Sequence, residues 1–356
     1  MSLQKANKIR QLKFSAEAAA LTDLRKYPCG SPSAAICIRN AENVFSGALV
    51  GNAETPAYAA DAQFIMYSVT KTIIAAVALR YAEKQLLQLD TPIALWLPNI
   101  PHASSITLRQ LLRHSSGLPD YGGAPQYREA VRSGAAPWTE TEYFTYSHAE
   151  TLLFPPGLGW SYSNIGYMVA RMLLEKARGA TFAQIAQEEI CEPLNLTTTH
   201  ILTKDEELAQ LVFGPSKELG SQETGGNVPE LYHIGWVAHG VAASTVQEIS
   251  LFFAALLGGQ LFSAALLREM CTYSPLPVMR DRPVLRPGYG MGLQIDHGWP
   301  EGPIYGNSGG GPGARIAVIH LPQQRSPITI AVAAPGEDIA QVESIATQLL
   351  KEQLAQ

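Results

Sequence analysis

Segments that read as strands lie at both ends of this chain, and the stretch between them reads as helix. Ser33–Ile38 and Val44–Val50 are apolar, β-branched runs joined through a turn at Arg39-Asn40-Ala41-Glu42-Asn43. Tyr289–Ile295, Ala314–His320 and Ile328–Ala333 carry the same signal near the other end. Helical periodicity marks 14–26, Lys71–Gln85, Leu108–His114, Ile165–Arg178, Ser244–Leu257 and Ile339–Leu350, with Ser244 a candidate N-cap. Strands at both termini around a helical middle predict one α/β (α+β) unit built from residues 1–85 and 241–356. A mainly helical domain, 86–240, is inserted in it. The Gly/Ser/Pro-rich stretch Phe213–Pro229 reads as a long surface loop.

Composition narrows the function classes. Of 356 residues, 46% are hydrophobic and 16% charged, well under the ~25% charge of an average soluble domain, so the chain is ordered. Lys+Arg is 26 and Asp+Glu 31, giving a net charge of −5, which argues against a nucleic-acid partner. The most apolar runs, Thr72–Leu79 and Leu251–Leu257, fall short of the ~20 residues of a transmembrane span. The first residues carry charge without an apolar core, so no intact signal peptide is read. As it stands the chain reads as cytoplasmic, or as periplasmic or secreted if a leader was trimmed. Cys29, Cys37, Cys191 and Cys271 are scattered and read as small buried thiols. The eight histidines show no metal-ligand spacing; His114, His148, His233 and His239 read as core or surface residues. No metal, cofactor or phosphate loop is expected; the partner expected is a small-molecule substrate, and oligomeric state is not legible.

Three short constellations carry chemistry. In Ser68-Val69-Thr70-Lys71, a serine and a lysine three apart at a helix start share one face. A serine hydroxyl needs a base, and a neutral lysine can serve. Lysine must then lose about three pKa units, roughly 4 kcal/mol, whereas a helix dipole contributes only about 0.3–1 kcal/mol. Burial must supply the rest. The second constellation is Trp160-Ser161-Tyr162-Ser163-Asn164: a tyrosine able to share a proton with a lysine, and an amide able to donate and accept. The third, Tyr305 to Gly313, is a glycine-dense run that reads as preceding a strand and permits close backbone approach to a ligand. Within it, Gly306–Gly310 formally fits G-x-S-x-G, but Pro312 and a strand follow instead of a helix. Gly309–Ala314 formally fits a dinucleotide fingerprint with its strand and helix in the wrong order.

In this order and combination, the three motifs resemble the serine β-lactamase-like superfamily, in particular its branch of class C β-lactamases, D-Ala-D-Ala carboxypeptidases and esterases. The resemblance spans nearly the whole chain. It takes in Leu111–Leu118, Pro156-Gly157 with Tyr162-Ser163-Asn164 and Gly166-Tyr167, Cys191–Leu194, Ala243–Thr245, Tyr289–Leu293 and Ser308–Gly313. It implies an antiparallel sheet flanked by helices, a helical lobe, and an active site between them. It implies Ser68 as acyl-accepting nucleophile, Lys71 and Tyr162 as general base and acid, and Asn164 as orienter of Lys71 and a substrate amide. The backbone amides of Ser68 and Gly310 would form the oxyanion hole, with Asn307, Ser308 and Gly309 completing the substrate-binding strand. One position departs: Asn307 stands where such chains carry Lys or His. A neutral amide there is expected to donate a hydrogen bond to substrate but to serve a substrate carboxylate poorly. Arg315 is left with two readings, a substitute cation or a solvent-facing strand residue. The function read is thus a serine hydrolase acting on a β-lactam, an ester or a small amide. The alternative is a binding protein that keeps the fold without turnover.

Overall fold

The computed structural model describes residues 33–40, 42–50, 61–220, 225–278, 282–322 and 326–355. The expected 14–26 helix and Cys29 lie outside them. Strands run in chain order β1 (Ser33–Arg39), β2 (Val44–Val50), β3 (Gln63–Ile65), β4 (His200–Ile201), β5 (Ala242–Thr245), β6 (Ser274–Pro275), β7 (Pro287–Tyr289), β8 (Gln294–Asp296), β9 (Ile304–Gly311), β10 (Ala314–Leu321) and β11 (Ile328–Pro335). The longer helices are α1 (Thr70–Glu83), α2 (Asn164–Arg178), α3 (Val246–Leu257) and α4 (Ile339–Leu354).

Both ends of the chain meet in one antiparallel sheet of order β2-β1-β11-β10-β9-β8-β7-β6. The N-terminal strand β1 pairs directly with the C-terminal β11, Ile36 opposite Val332 and Cys37 opposite Ala331. A period of two divides the side chains between two cores. Ala35, Cys37, Ile316, Val318, Ala331 and Ala333 join the larger core shared with α1, α2 and α3. Ala34, Ile36, Ile38, Ala317, Ile330 and Val332 pack against Val342, Ile345, Ala346 and Leu349 of α4. With both faces covered, these strands read as near-continuous apolar runs.

Helix α1 is buried nearly all round, including Thr70, Lys71 and Thr72, as a helix at the centre of a core must be. Short helices and loops fill most of the chain between α1 and β5, with the small sheet β3-β5-β4 beside them.

Three local expectations need correction. Ser244 is not the N-cap of α3: β5 continues one residue further, through the Gln63–Thr245 pair, and Thr245 caps Glu248 N. The Ser244 hydroxyl instead lies buried, 2.8 Å from Thr199 Oγ1. Tyr289–Ile295 is not one strand but a hairpin, β7 and β8, closed by Gly290 N to Leu293 O at 2.9 Å. Gly292 takes φ +69°, and a Cβ there would meet Ala75 Cβ at 2.6 Å, so glycine lets the hairpin tip press on α1. The glycine run does precede a strand, β10, but most of it is itself strand, as β9. Nor is the 213–229 stretch all surface, because Ser216, Leu219 and Val228 are buried.

Candidate active site

The site lies where the start of α1, the start of α2 and the free edge of β9 converge. Ser68 sits in a single 3₁₀ turn, Tyr67–Val69, that feeds directly into α1. Tyr67 holds a left-handed φ of 41°, an unusual backbone for a bulky residue immediately before the serine. Its ring is buried, and its hydroxyl donates to Pro312 O at 2.7 Å, which anchors the turn to the end of β9. One α-helical turn after Ser68, Lys71 is fully buried.

Helix α2 supplies the second wall. Ser163 caps it by accepting from Gly166 N at 2.9 Å, so Tyr162 precedes the helix and Asn164 opens it. Tyr162 OH lies 2.7 Å from Ser68 Oγ, and Lys71 Nζ lies 3.2 Å from the same oxygen. Lys71 Nζ also donates to Asn164 Oδ1 at 2.7 Å and lies 3.2 Å from His239 Nε2. With His239 as its Nδ1–H tautomer, a neutral amine can donate to both Asn164 Oδ1 and His239 Nε2 and still turn its lone pair to the serine hydroxyl.

Electrostatics favour that neutral form. Burial lowers the Lys71 ammonium from 10.5 to about 7, and nearby Asp120 opposes part of the fall. Burial likewise raises Tyr162 well above 10 and holds His239 and His114 well below 6.5, with Lys71 adding to both histidine shifts. At neutral pH this leaves a phenol, two uncharged imidazoles and a lysine that titrates within reach of Ser68. Asp120, raised by its own burial, accepts from Asn164 N at 2.8 Å and so orients the residue that orients Lys71.

The third wall is β9. Its pairing with β8 ends at Gly306, and among the described residues no strand pairs with the edge from Asn307 onward on that side. Gly309 approaches the Ser68 turn so closely that a Cβ would meet Met66 O at 2.4 Å and Ser68 N at 2.9 Å. Gly310 follows it and lines the cavity with Ser68, Tyr162, Asn164, Asn307 and Ser308. The candidate residues are therefore brought together, with two differences from expectation. Asn307 turns its amide into the protein: Nδ2 donates to Thr72 Oγ1 at 3.0 Å and Gly292 O at 3.2 Å, and Oδ1 accepts from Ser308 N at 2.9 Å. Its donors join β9 to α1 and the hairpin tip and are not free for a substrate. Arg315 neither faces solvent nor reaches the serine; it is buried and donates to Asp338 O at 3.0 Å.

Sequence reasoning missed four residues. His239 and Asp120 flank Lys71, yet lie 168 and 49 positions along the chain from it, in segments without a motif. They arrive together because Tyr121 OH donates to Trp236 O at 3.0 Å and accepts from Ala238 N at 3.1 Å. Arg282 and Glu343 form an ion pair across the cavity, and Arg282 Nη2 reaches Ser308 Oγ at 3.1 Å. Among the described residues, no cluster could hold a metal ion, and no helix is long and apolar enough to cross a membrane.

This fold is shared by known proteins. The Beta-lactamase family model matches residues 19–354, and the chain belongs to that family. It is 26% identical over 277 residues to penicillin-binding protein 4* of Bacillus subtilis, covering 74% of this chain and 58% of that protein. It is 32% identical over 187 residues to lovastatin esterase of Penicillium rubens, covering 45% of this chain and 46% of that protein. Thus it spans about half the length of these relatives. Among solved structures, a D-stereospecific amidohydrolase from Streptomyces sp. superposes with a TM-score of 0.77 at 24% identity, over 95% of this chain and 98% of that one. D-amino acid amidase from Ochrobactrum anthropi gives 0.76 at 21% identity, over 95% and 99%. The sequence relatives include esterases and penicillin-binding proteins, and amidases share the fold.

Proposed function

We propose that this chain is a serine hydrolase that cleaves esters or small amides through an acyl-enzyme on Ser68. The observation that carries the reading is a lysine with its pKa near 7 in hydrogen-bond reach of the Ser68 hydroxyl. Neutral Lys71 takes the Ser68 proton as Oγ bonds to the substrate carbonyl carbon. Tyr162, whose phenol stays protonated, gives its proton to the leaving oxygen or nitrogen as that bond breaks. The lysine ammonium beside it then returns a proton to the phenolate. Water repeats the attack: Lys71 takes its proton, Tyr162 protonates Ser68 Oγ as the acyl bond breaks, and the lysine ammonium returns a proton to the phenolate. Asn164, held by Asp120, and His239 keep the Lys71 amine aimed at Ser68. The amides of Ser68 and Gly310 receive the developing oxyanion.

The Asn307 position supports the choice of ester or amide over penicillin. Its amide is spent on Thr72 and Gly292, so this position offers no cation to a substrate carboxylate. Intact-mass measurement after mixing with p-nitrophenyl acetate, and separately with benzylpenicillin, tests the reading. An acetyl adduct that vanishes in Ser68→Ala is expected, with benzylpenicillin leaving little or none. An unchanged adduct in Ser68→Ala overturns the nucleophile. No adduct and no turnover with either reagent turns the reading toward a binding protein.

A further inference from the structure

The cavity that opens at Ser68 continues past β9. Gly309 and Gly311 face the turn that carries the serine, whereas Gly310 faces Ile339 of α4. By the same alternation Gly306 and Ser308 share the α4 side. The cavity, about 550 Å³, is lined from both sides and so wraps around the unpaired edge of β9. That size lies within the range of sites for small organic ligands.

Four features show that the far portion is a formed apolar chamber. Its sheet wall carries small side chains at Ser308 and Ala317, where strands of a helix-covered sheet ordinarily carry bulk, while Gly306 lies against the β10 backbone and Gly310 against Ile339. Helix α4 turns the stripe Ile339, Glu343 and Thr347, spaced by four, toward it. Ile304 and Ile319 line it further along; Ile304 is four residues from Ser308, roughly 13 Å at strand spacing. Asp296 organises the boundary by accepting from Leu285 N, Arg286 N, Gly298 N and Trp299 Nε1 at 3.0, 2.7, 2.9 and 3.1 Å.

The charges along this path are engaged with one another. Arg282 forks onto Glu343 through Nε and Nη2, and the four N–H donors account for Asp296. What remains for a ligand is the apolar surface of Val284, Pro287, Trp299, Ile304 and Ile319.

We propose that this chamber holds an extended, uncharged apolar arm of the substrate, an alkyl or aryl group joined to the carbonyl at Ser68. The chain is then selective for lipophilic esters or amides. The proposal rests on Ser68 being the nucleophile. Both halves of an ester can present such an arm, so two series separate them: p-nitrophenyl acetate, butyrate and octanoate vary the acyl group, and ethyl, butyl and octyl acetate vary the alcohol. In one series kcat/KM rises on the order of 10- to 100-fold from shortest to longest, since each buried methylene favours binding. Thr347→Phe and, independently, Ala317→Leu occupy the chamber and reduce that long-to-short ratio about 10-fold. The ratio is internal to each protein, so loss of folded material does not mimic the effect. Ser68-dependent turnover with a flat profile in both series overturns the chamber and leaves the hydrolase reading intact.

A second measurement needs no turnover. Titrating Ser68→Ala with n-octanol saturably changes tryptophan fluorescence, because Trp160 and Trp299 both line the cavity. If no ester is hydrolysed through Ser68, the hydrolase reading falls and octanol decides the chamber by itself. Saturation that Thr347→Phe abolishes sustains it, and absence of saturation removes it.

Discussion

The two faces of β9 differ in what they do with space. On the face toward α1, Asn307 is locked by hydrogen bonds and Gly309 lies against the backbone of Met66 and Ser68. On the face toward α4, Gly306, Ser308 and Gly310 border open volume. At 309 the missing side chain admits the backbone of Met66 and Ser68, at 310 it admits the Ile339 side chain of α4, and the open volume lies beside Ser308. The first face fixes the backbone at Ser68; the second borders the cavity.

Four changes break or sharpen this contrast. The largest effect is expected from Ser68→Ala, which removes the acyl acceptor and lowers p-nitrophenyl acetate kcat by at least about 1000-fold. A smaller loss would place the nucleophile elsewhere. Gly309→Ala comes next. Its Cβ must push Met66 O and Ser68 N aside, so kcat falls on the order of 100-fold from misplacement alone. The fold survives, because overpacking costs about 1–3 kcal/mol. Circular dichroism alongside rates checks both halves, and full activity in this variant would show that the two backbones need not approach.

Asn307→Ala tests the locked face through stability. It leaves Thr72 Oγ1 and Gly292 O without their amide donor and lowers unfolding free energy by about 1–3 kcal/mol in urea titration. A rise in ester turnover without that cost would mean that the amide restrains a substrate and not the fold.

The smallest effect concerns proton traffic. With Lys71 near 7, kcat/KM should rise with pH through about 7 as the amine loses its proton, while Tyr162 and His239 stay uncharged. Asp120→Asn removes the charge that favours the ammonium, so this limb moves to lower pH by less than about one unit. A shift to higher pH contradicts the assigned electrostatics. The same lowered value makes the unfolded chain hold more protons between about 7 and 10.5, so stability rises with pH across that window.

How far the site was legible depended on sequence distance. Ser68 and Lys71 belong to one helical turn, and Tyr162 and Asn164 to one helix entry, so local spacing alone showed which side chains share a face. His239 and Asp120 come from segments whose residues resemble any core histidine or loop aspartate; the Tyr121 bonds to Trp236 and Ala238, the Asn164 N–Asp120 bond and the Ala242 N–Thr70 bond bring them to Lys71. Asn307 was legible as an unusual residue but misread in direction, because a strand of known register says which face a side chain takes and not whether a neighbour claims its donors. That the glycine run is itself a strand was not legible for a related reason. Glycine is a poor strand former in isolation, yet β10 and the Tyr67 turn supply the hydrogen bonds and contacts that extend it.

The amino-acid sequence by itself determined the strands at both termini, the buried helix behind Ser68, and the identity of the serine, lysine and tyrosine. Each rests on periodicity or on neighbours within a few residues, which a chain carries wherever it goes. Tertiary structure alone decided the state of Lys71, the inward turn of Asn307 and the chamber behind β9. A pKa depends on which groups desolvate the amine, a donor's availability on which acceptor arrives first, and a cavity on what every surrounding element leaves unfilled. Those quantities exist only once β1 has paired with β11 and α4 has closed over the sheet.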